Sequence, residues 1–367
     1  MKKKRFAFIV HLRDINDIAH TLPVPNFLIT KVLRRPILWL LWKLRGRLGF
    51  MVRSKFRVND EVEGYIIVIW MTGAQMMNSN HNGWVRRRIL ETILYAQNKL
   101  HCDVVGLGAL TASVTNAGQW LASRPEVTAA ITHGDTYAVA LTLEGVQKLA
   151  KLADVILNEA TIAIVGATGI IGEALSKTLA PITGKLILIG RKMERFAGLR
   201  KSIDDHIKNG KAVLATNIGL VRDADIVITA TSWPEAIIRA EHLKHNAIIY
   251  EVSQPRNVSK TLINERPDVL VIDGAYARVP EDINFWWMSL PPHHTFGCMA
   301  ETLMQCWEGD KTHHVGSIEL DFVAEVRRWA EKYGFSHADF TSFNRSLVPQ
   351  SPLLKVRQQL KTGEARI

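Results

Sequence analysis

The sequence predicts an α/β protein. It has a doubly wound β-α domain in the second half, a further α/β domain before it, and C-terminal helices that pack back. Three observations carry this expectation. Apolar runs of strand length alternate with helical stretches along most of the chain. One run, Thr161 to Val165, enters a Gly-rich turn and leaves it as a helix. The chain has 367 residues, 47% hydrophobic and 22% charged, enough for two or three cored domains without disulfide or metal staples. That composition excludes wholesale disorder, collagen and a multi-span membrane protein. The expected limits are 1–158 for an N-terminal substrate domain, with a basic amphipathic insertion at about 26–57. Residues 159–292 form the β-α domain, 293–350 the C-terminal helices and 351–367 a polar tail.

The first strand is Phe6 to Leu12, behind a basic leader. It is too short, and too soon followed by Arg13 and Asp14, for a signal peptide. No uncharged apolar run reaches the ~18 residues that span a bilayer. From Ile18 to Asn59 there is no Asp or Glu, yet Lys31, Arg34, Arg35, Lys43, Arg45, Arg47, Arg53, Lys55 and Arg57 all fall there. They flank Trp39-Leu40-Leu41-Trp42, the pattern of a helix lying in an anionic membrane surface. A core-packed helix with snorkelling cations is the alternative. The whole chain carries a net charge of +11, which favours an acidic partner. No nucleic acid is expected. Cytoplasmic residence with peripheral contact at the inner membrane face is.

A strand follows from Tyr65 to Met71, then a polar loop, Asn78 to Gly83, and a helix from Trp84 to about Leu100. Val104 to Leu110 reads as a buried strand ending in a tight turn, and Ser113 to Ala122 as a helix. Another helix, Tyr137 to about Leu157, follows the loop Thr132-His133-Gly134-Asp135-Thr136. Later strands are Ile162–Val165, Lys185–Ile189, Ile226–Thr229, Ala247–Val252 and Val269–Ile272. The end of the chain is helical over Cys298–Glu308 and Ile318–Tyr333.

The Gly-rich turn carries the sharpest chemistry. In Gly166-Ala167-Thr168-Gly169-Ile170-Ile171-Gly172, Gly166 permits the turn, Gly169 admits a pyrophosphate and Gly172 packs helix on strand. The helix N-terminus then meets the phosphates. This is a Rossmann-type dinucleotide site, and Thr229 and Ala230 at a neighbouring strand end are further expected contacts. The second strand ends in Arg191 and Lys192 where NAD sites carry an acid. Two cations suit a 2′-phosphate, so NADPH is the expected coenzyme.

A second constellation, His293-His294-Thr295-Phe296-Gly297-Cys298, opens a helix. A helix N-terminus stabilises a thiolate, so Cys298 is a candidate nucleophile toward a thioester; a buried structural Cys reads equally well. Cys102 and Cys306 read as structural. Three cysteines make no disulfide framework, which suits a reducing compartment. His294 and His133 are candidate proton donors, each with a solvated or locally bonded loop histidine as its alternative. No spacing argues for a metal.

Taken together, the opening strand, Gly106-Leu107-Gly108-Ala109-Leu110-Thr111, Gly134-Asp135-Thr136, the Gly166–Gly172 turn, Phe296-Gly297-Cys298-Met299-Ala300-Glu301 and Tyr333-Gly334-Phe335 resemble the long-chain acyl-(acyl-carrier-protein) reductases of cyanobacteria. That resemblance implies reduction of an acyl thioester, carried by acyl-carrier protein or CoA, to a fatty aldehyde. It implies Cys298 as acyl acceptor and Arg191 as an NADPH contact. The basic Trp/Leu stretch, the His293-His294 pair and Asp135, where the family usually has Asn, depart from the pattern. The alternatives are a shikimate-dehydrogenase-like small-molecule oxidoreductase and a non-catalytic, membrane-associated NADP-binding protein.

Overall fold

The computed structural model describes residues 3–12, 36, 39–40, 43, 49–78, 82–233, 235–283 and 290–347. The polar tail and most of the basic insertion lie outside them. Five longer helices occur among these residues: α1 (Asn82–Asn98), α2 (Asp135–Leu152), α3 (Ile170–Leu179), α4 (Gly297–Glu308) and α5 (Leu320–Tyr333). The chain divides into two compact units. One comprises 1–134 and 298–317, the other 135–297 and 318–367. Helix α2, read from the sequence as part of the N-terminal domain, thus belongs to the second unit, and Cys298–Ser317 to the first.

The first unit holds a five-stranded sheet of β1 (Lys4–Leu12), β2 (Phe50–Arg57), β3 (Val62–Thr72), β4 (Val104–Leu107) and β5 (Ala130–Thr132), in the order β2-β3-β1-β4-β5. β1, β3, β4 and β5 are parallel; β2 runs antiparallel on the β3 edge. Phe6, Ala7, Phe8 and Ile9 are all buried, as befits a central strand covered on both faces. Ile89, Ile93 and Ala96 of α1 pack into the core on the Ala7 and Ile9 face.

Two expectations change here. Residues 50–57 are an edge strand, not the end of an interfacial helix. Phe56 packs edge-on against Phe6, while Lys55 pairs with Glu63 at 3.5 Å and Arg57 with Asp60. A segment without acids in its own sequence finds one across the sheet and one in the turn that follows it, and cations on an edge discourage strand pairing with other chains. The expected helix Ser113–Ala122 is two short pieces, Leu110–Val114 and Gln119–Ala122. Asn116, Ala117 and Gly118 between them all have positive φ, and that turn lets the Ala117 carbonyl accept from Gly316 N–H at 2.9 Å.

The second unit holds six parallel strands: β6 (Thr161–Val165), β7 (Lys185–Ile189), β8 (Ala212–Ala215), β9 (Ile226–Thr229), β10 (Ile248–Glu251) and β11 (Leu270–Asp273). Their order, β8-β7-β6-β9-β10-β11, is the doubly wound Rossmann arrangement, with its switch point between β6 and β9. Ala163, Val165, Ile187, Val227, Ile249 and Val271 fill one side of its core. A small antiparallel sheet of β12 (Tyr276–Arg278), β13 (His294–Phe296) and β14 (Ser336–His337) completes the unit, and β13 runs directly into α4.

Candidate active site

At the switch point the chain turns from β6 into α3. Gly166 and Ala167 N–H groups both donate to the Ile189 carbonyl, at 2.9 and 3.0 Å. This ties the turn to the end of β7 and sets exposed Arg191 and Lys192 beside it. The three glycines differ in why they are glycine. Gly166 has φ +97°, and a Cβ there would collide with the Ala230 carbonyl. A Cβ on Gly172 would collide with the Gly166 carbonyl. Gly169 has extended backbone, and its Cβ would meet nothing closer than 3.3 Å. The fold demands the first and third, whereas bareness at Gly169 keeps the helix start open for a ligand. These residues fit a dinucleotide pyrophosphate.

Thr229 does not offer its side chain there. It is fully buried and donates its hydroxyl to Glu251. Ala230 stays at the turn, its N–H donating to the Val165 carbonyl at 2.8 Å. Glu251 anchors a network the sequence reading missed. It accepts from Ser253 N–H (3.0 Å) and Asn257 N–H (2.9 Å). Asn257 Oδ1 in turn accepts from Thr231 Oγ1 at 2.6 Å. Burial pushes the Glu251 carboxyl up to about 7 against the pull of Thr229 and Arg256. The network fixes residues 229–233 beside the Gly-rich turn. A Glu-x-Ser-x₃-Asn spacing after a strand was the available signal.

In the first unit, α4 starts at the loop after β5, passes Gly106 of β4 and ends near Lys4 at the start of β1. Cys298 opens it and is half-buried, while Cys102 and Cys306 are buried. Burial pushes the Cys102 thiol up to about 12 and the Cys306 thiol up further. Two glycines from distant segments seat the helix. Gly134 has φ +73°, and a Cβ on it would overlap Cys298 itself, its carbonyl oxygen lying at 2.6 Å. Gly106, mid-strand in β4, faces Thr302, whose hydroxyl donates to the Cys298 carbonyl at 2.8 Å. Thr132 Oγ1 donates to buried Glu301 at 2.7 Å and accepts from Gly134 N–H at 3.0 Å. A carboxylate one turn along α4 thus braces the loop on which Cys298 rests. Neither Glu301 nor Thr132 was singled out from the sequence.

The two candidate histidines sit differently. His133 is 2% exposed, and burial, helped by His314, pushes it down to about 4. It is therefore neutral at pH 7 and has no imidazolium proton to give. His294 lies in β13 with Nδ1 at 2.8 Å from the Pro292 carbonyl. That contact makes Nδ1 a donor, and Nε2 is buried with no hydrogen-bond partner among the described residues. Those residues contain no group of three His, Cys, Asp or Glu able to hold a metal ion.

The sequence profile of the Shikimate / quinate 5-dehydrogenase family matches residues 147–273. The long-chain acyl-[acyl-carrier-protein] reductase of Synechococcus elongatus is 27% identical over 266 residues, 68% of this chain and 75% of that protein. The aminotransferase PigE of a Serratia species is 26% identical over 260 residues, again 68% of this chain but 29% of that protein. A solved quinate dehydrogenase from Corynebacterium glutamicum, in complex with NAD, covers 90% of this chain and 100% of its own at 13% identity and a TM-score of 0.39. With the strand order and the Gly-rich turn, the sequence matches make this chain an NAD(P)-dependent oxidoreductase.

Proposed function

We propose that the protein reduces a long-chain acyl thioester, presented by acyl-carrier protein or CoA, to a fatty aldehyde with NADPH. The observation that carries this reading is the seat of Cys298, a half-buried thiol at the start of a 12-residue helix, set on Gly134 and braced through Thr132 and Glu301. The likeness to an acyl-carrier-protein reductase supports it.

In this reading Cys298 Sγ attacks the thioester carbonyl. The carbon–sulfur bond to the carrier breaks, and the carrier leaves as its thiol. The acyl group is then held on Cys298, where the positive end of the α4 dipole favours the thiolate that must leave later. A reduced nicotinamide, when bound, supplies the hydride. Hydride and a proton turn the Cys298 thioester into a thiohemiacetal. Its collapse releases the aldehyde and restores the thiol. His294 is the proposed proton donor, and His133, held neutral, a support for the 132–134 loop. Arg191 and Lys192 are the proposed partners of the coenzyme 2′-phosphate.

Incubation with acyl-carrier-protein thioester, acyl-CoA and NADPH, followed by aldehyde detection, tests the reaction. Absence of aldehyde from both donors would refute it. The profile match over 147–273 favours a second reading, a shikimate-dehydrogenase-like reaction on a small hydroxy acid. That reaction has no use for Cys298, so a Cys298→Ser variant that keeps full activity would favour it.

We also propose peripheral contact with an anionic membrane. Trp39 is 61% and Leu40 47% exposed, with Lys43 Nζ 4.8 Å from the Trp39 ring centroid. Among the described residues no helix is long and apolar enough to cross a membrane. Co-sedimentation with anionic but not neutral liposomes, lost in Trp39→Ala, is the expected outcome. Protein left in the supernatant at low salt would end this reading.

A further inference from the structure

In the first unit two guanidinium groups share one indole. Arg86 Cζ lies 5.6 Å from the Trp120 ring centroid and Arg124 Cζ 4.5 Å. Each uses its Nε inside the fold. Arg86 donates to the Val114 carbonyl at 2.7 Å and Arg124 to the Trp120 carbonyl at 3.4 Å. Their Nη ends have no carboxylate within ion-pair distance among the described residues, and neither has exposed Arg87, the next residue of α1. Arg88 differs. It pairs with Glu91 at 2.8 Å and lies over Trp84.

The arrangement works against local electrostatics. The Arg run occupies the early turns of α1, whose first turn has no acidic residue, and a helix dipole disfavours cations at that end. Two like charges on one ring repel each other as well. The indole face holds both, and a planar guanidinium whose Nε is used within the fold still has its Nη groups for an anion. An added anion relieves the repulsion.

The position gives this face a use. Val114 ends the short helix that follows β4, and the turn at 116–118 leads on to Trp120. A Cβ on Gly118 would meet Val315 at 2.7 Å, and Val315 follows His314. The His314 N–H donates to the Ile131 carbonyl at 2.8 Å, next to the Thr132–Gly134 loop that seats Cys298. The Arg face and the Cys298 seat thus belong to the same unit and are joined through the 116–118 turn, residues 314–315 and the 132–134 loop.

We propose that Arg86, Arg87, Arg124 and Trp120 form the docking face for an acidic acyl-carrier protein that delivers its thioester to Cys298. The inference rests on the thioester reading above. Surface carboxylates on a carrier helix are the ligands that guanidinium forks on a rigid ring select, and they also steer encounter.

The test is binding of fluorescently labelled holo-acyl-carrier protein to the full chain, read by anisotropy at low and high salt. Labelling of Cys298 by an acyl-CoA is measured in parallel. Arg87→Glu/Arg124→Glu, with Arg87→Gln/Arg124→Gln as a milder partner, should weaken carrier binding by about tenfold or more. The wild-type salt dependence should flatten, while labelling from acyl-CoA stays as in wild type. Carrier binding unchanged in a folded variant overturns the proposal. Equal loss of acyl-CoA labelling overturns it too, because the face would then be reading the phosphates of a small carrier. Wild-type protein that binds the carrier yet never acylates Cys298 would refute the thioester reading and leave the docking face standing.

Discussion

The glycines of the dinucleotide turn and those of the Cys298 seat relieve the same kind of collision by different routes along the chain. In the second unit Gly166, Gly169 and Gly172 lie within one strand–turn–helix; Gly172 makes room for Gly166 inside that turn, and Gly166 makes room for Ala230 at the end of the neighbouring strand β9. In the first unit Gly106 and Gly134 come from β4 and from the loop after β5, and the atoms they make room for belong to α4. Thr132 and Glu301, which brace that seat, stand 169 residues apart in the sequence. The coenzyme turn draws its three glycines from one β-α unit; the seat of the Cys298 thiol draws its glycines from two separate segments of the sheet.

The sharpest way to break this comparison is Gly134→Ala. The added Cβ must overlap Cys298 at a backbone angle that L-residues avoid. Displacement of the thiol by an ångström should lower Cys298 acylation by about 10²-fold. Coenzyme affinity, measured by fluorescence titration, should hold. Wild-type acylation in Gly134→Ala would show that the glycine seats nothing.

The coenzyme turn gives the next largest contrast. Gly166→Ala should destabilise the second unit by about 1–3 kcal/mol, since positive φ and the Ala230 carbonyl both oppose it. Gly169→Ala should change stability by less than about 1 kcal/mol and mainly weaken coenzyme binding. Calorimetry alongside titration separates the two. Equal loss of stability at both positions would remove the distinction between a glycine the fold needs and one a ligand needs.

Specificity follows. Arg191→Ala should weaken NADPH binding by about 1.5–3 kcal/mol, the scale of a charged hydrogen bond, and leave NADH nearly unchanged. Equal weakening of both coenzymes would place Arg191 elsewhere than at the 2′-phosphate.

Much of the second unit could be read from its sequence because its signals are short-range. The apolar runs, the Gly-rich turn and the Arg191-Lys192 pair all sit within about two β-α units of one another. The four-residue strand β8 escaped because Ala212–Ala215 has no length or alternation to mark it. Cys298 at a helix start was legible, but its seat was not. Glu301 reads as one more helix residue until Thr132 reaches it. Thr229 was placed at the right strand end, yet its hydroxyl turns inward to a carboxylate on the next strand. The basic stretch misled for the same reason. Lys55 and Arg57 have no acid in the preceding segment; Glu63 reaches Lys55 only once β2 folds against β3, and Asp60 meets Arg57 from the turn between the two strands.

The smallest expected effect is a difference in acid response. His133, pushed down to about 4 by burial, stays neutral in the folded first unit, while its unfolded counterpart takes up a proton below about 6.5. Stability there falls as pH drops from 6.5 toward 4. In the second unit His337, also down to about 4 chiefly by burial, acts the same way. Glu251, raised to about 7, opposes it, because the folded carboxyl binds a proton between pH 7 and 4.5 that the unfolded one does not. Hydrogen-exchange protection, corrected for intrinsic rates, should fall between pH 6.5 and 4.5 in β4 and β5 and change little in β9 and β10. Parallel losses in both sheets would contradict the opposed titrations.

The central claim is that Cys298 carries the acyl group. The most direct measurement is mass spectrometry of the full chain after incubation with a long-chain acyl thioester and no NADPH. The account predicts one acyl group, cleaved by hydroxylamine, on the peptide holding Cys298. It also predicts loss of that label when NADPH is added, with aldehyde appearing in step. Cys298→Ser should bind NADPH normally and take no label. Label confined to Cys102 or Cys306, or aldehyde formed at the wild-type rate by Cys298→Ser, would contradict it.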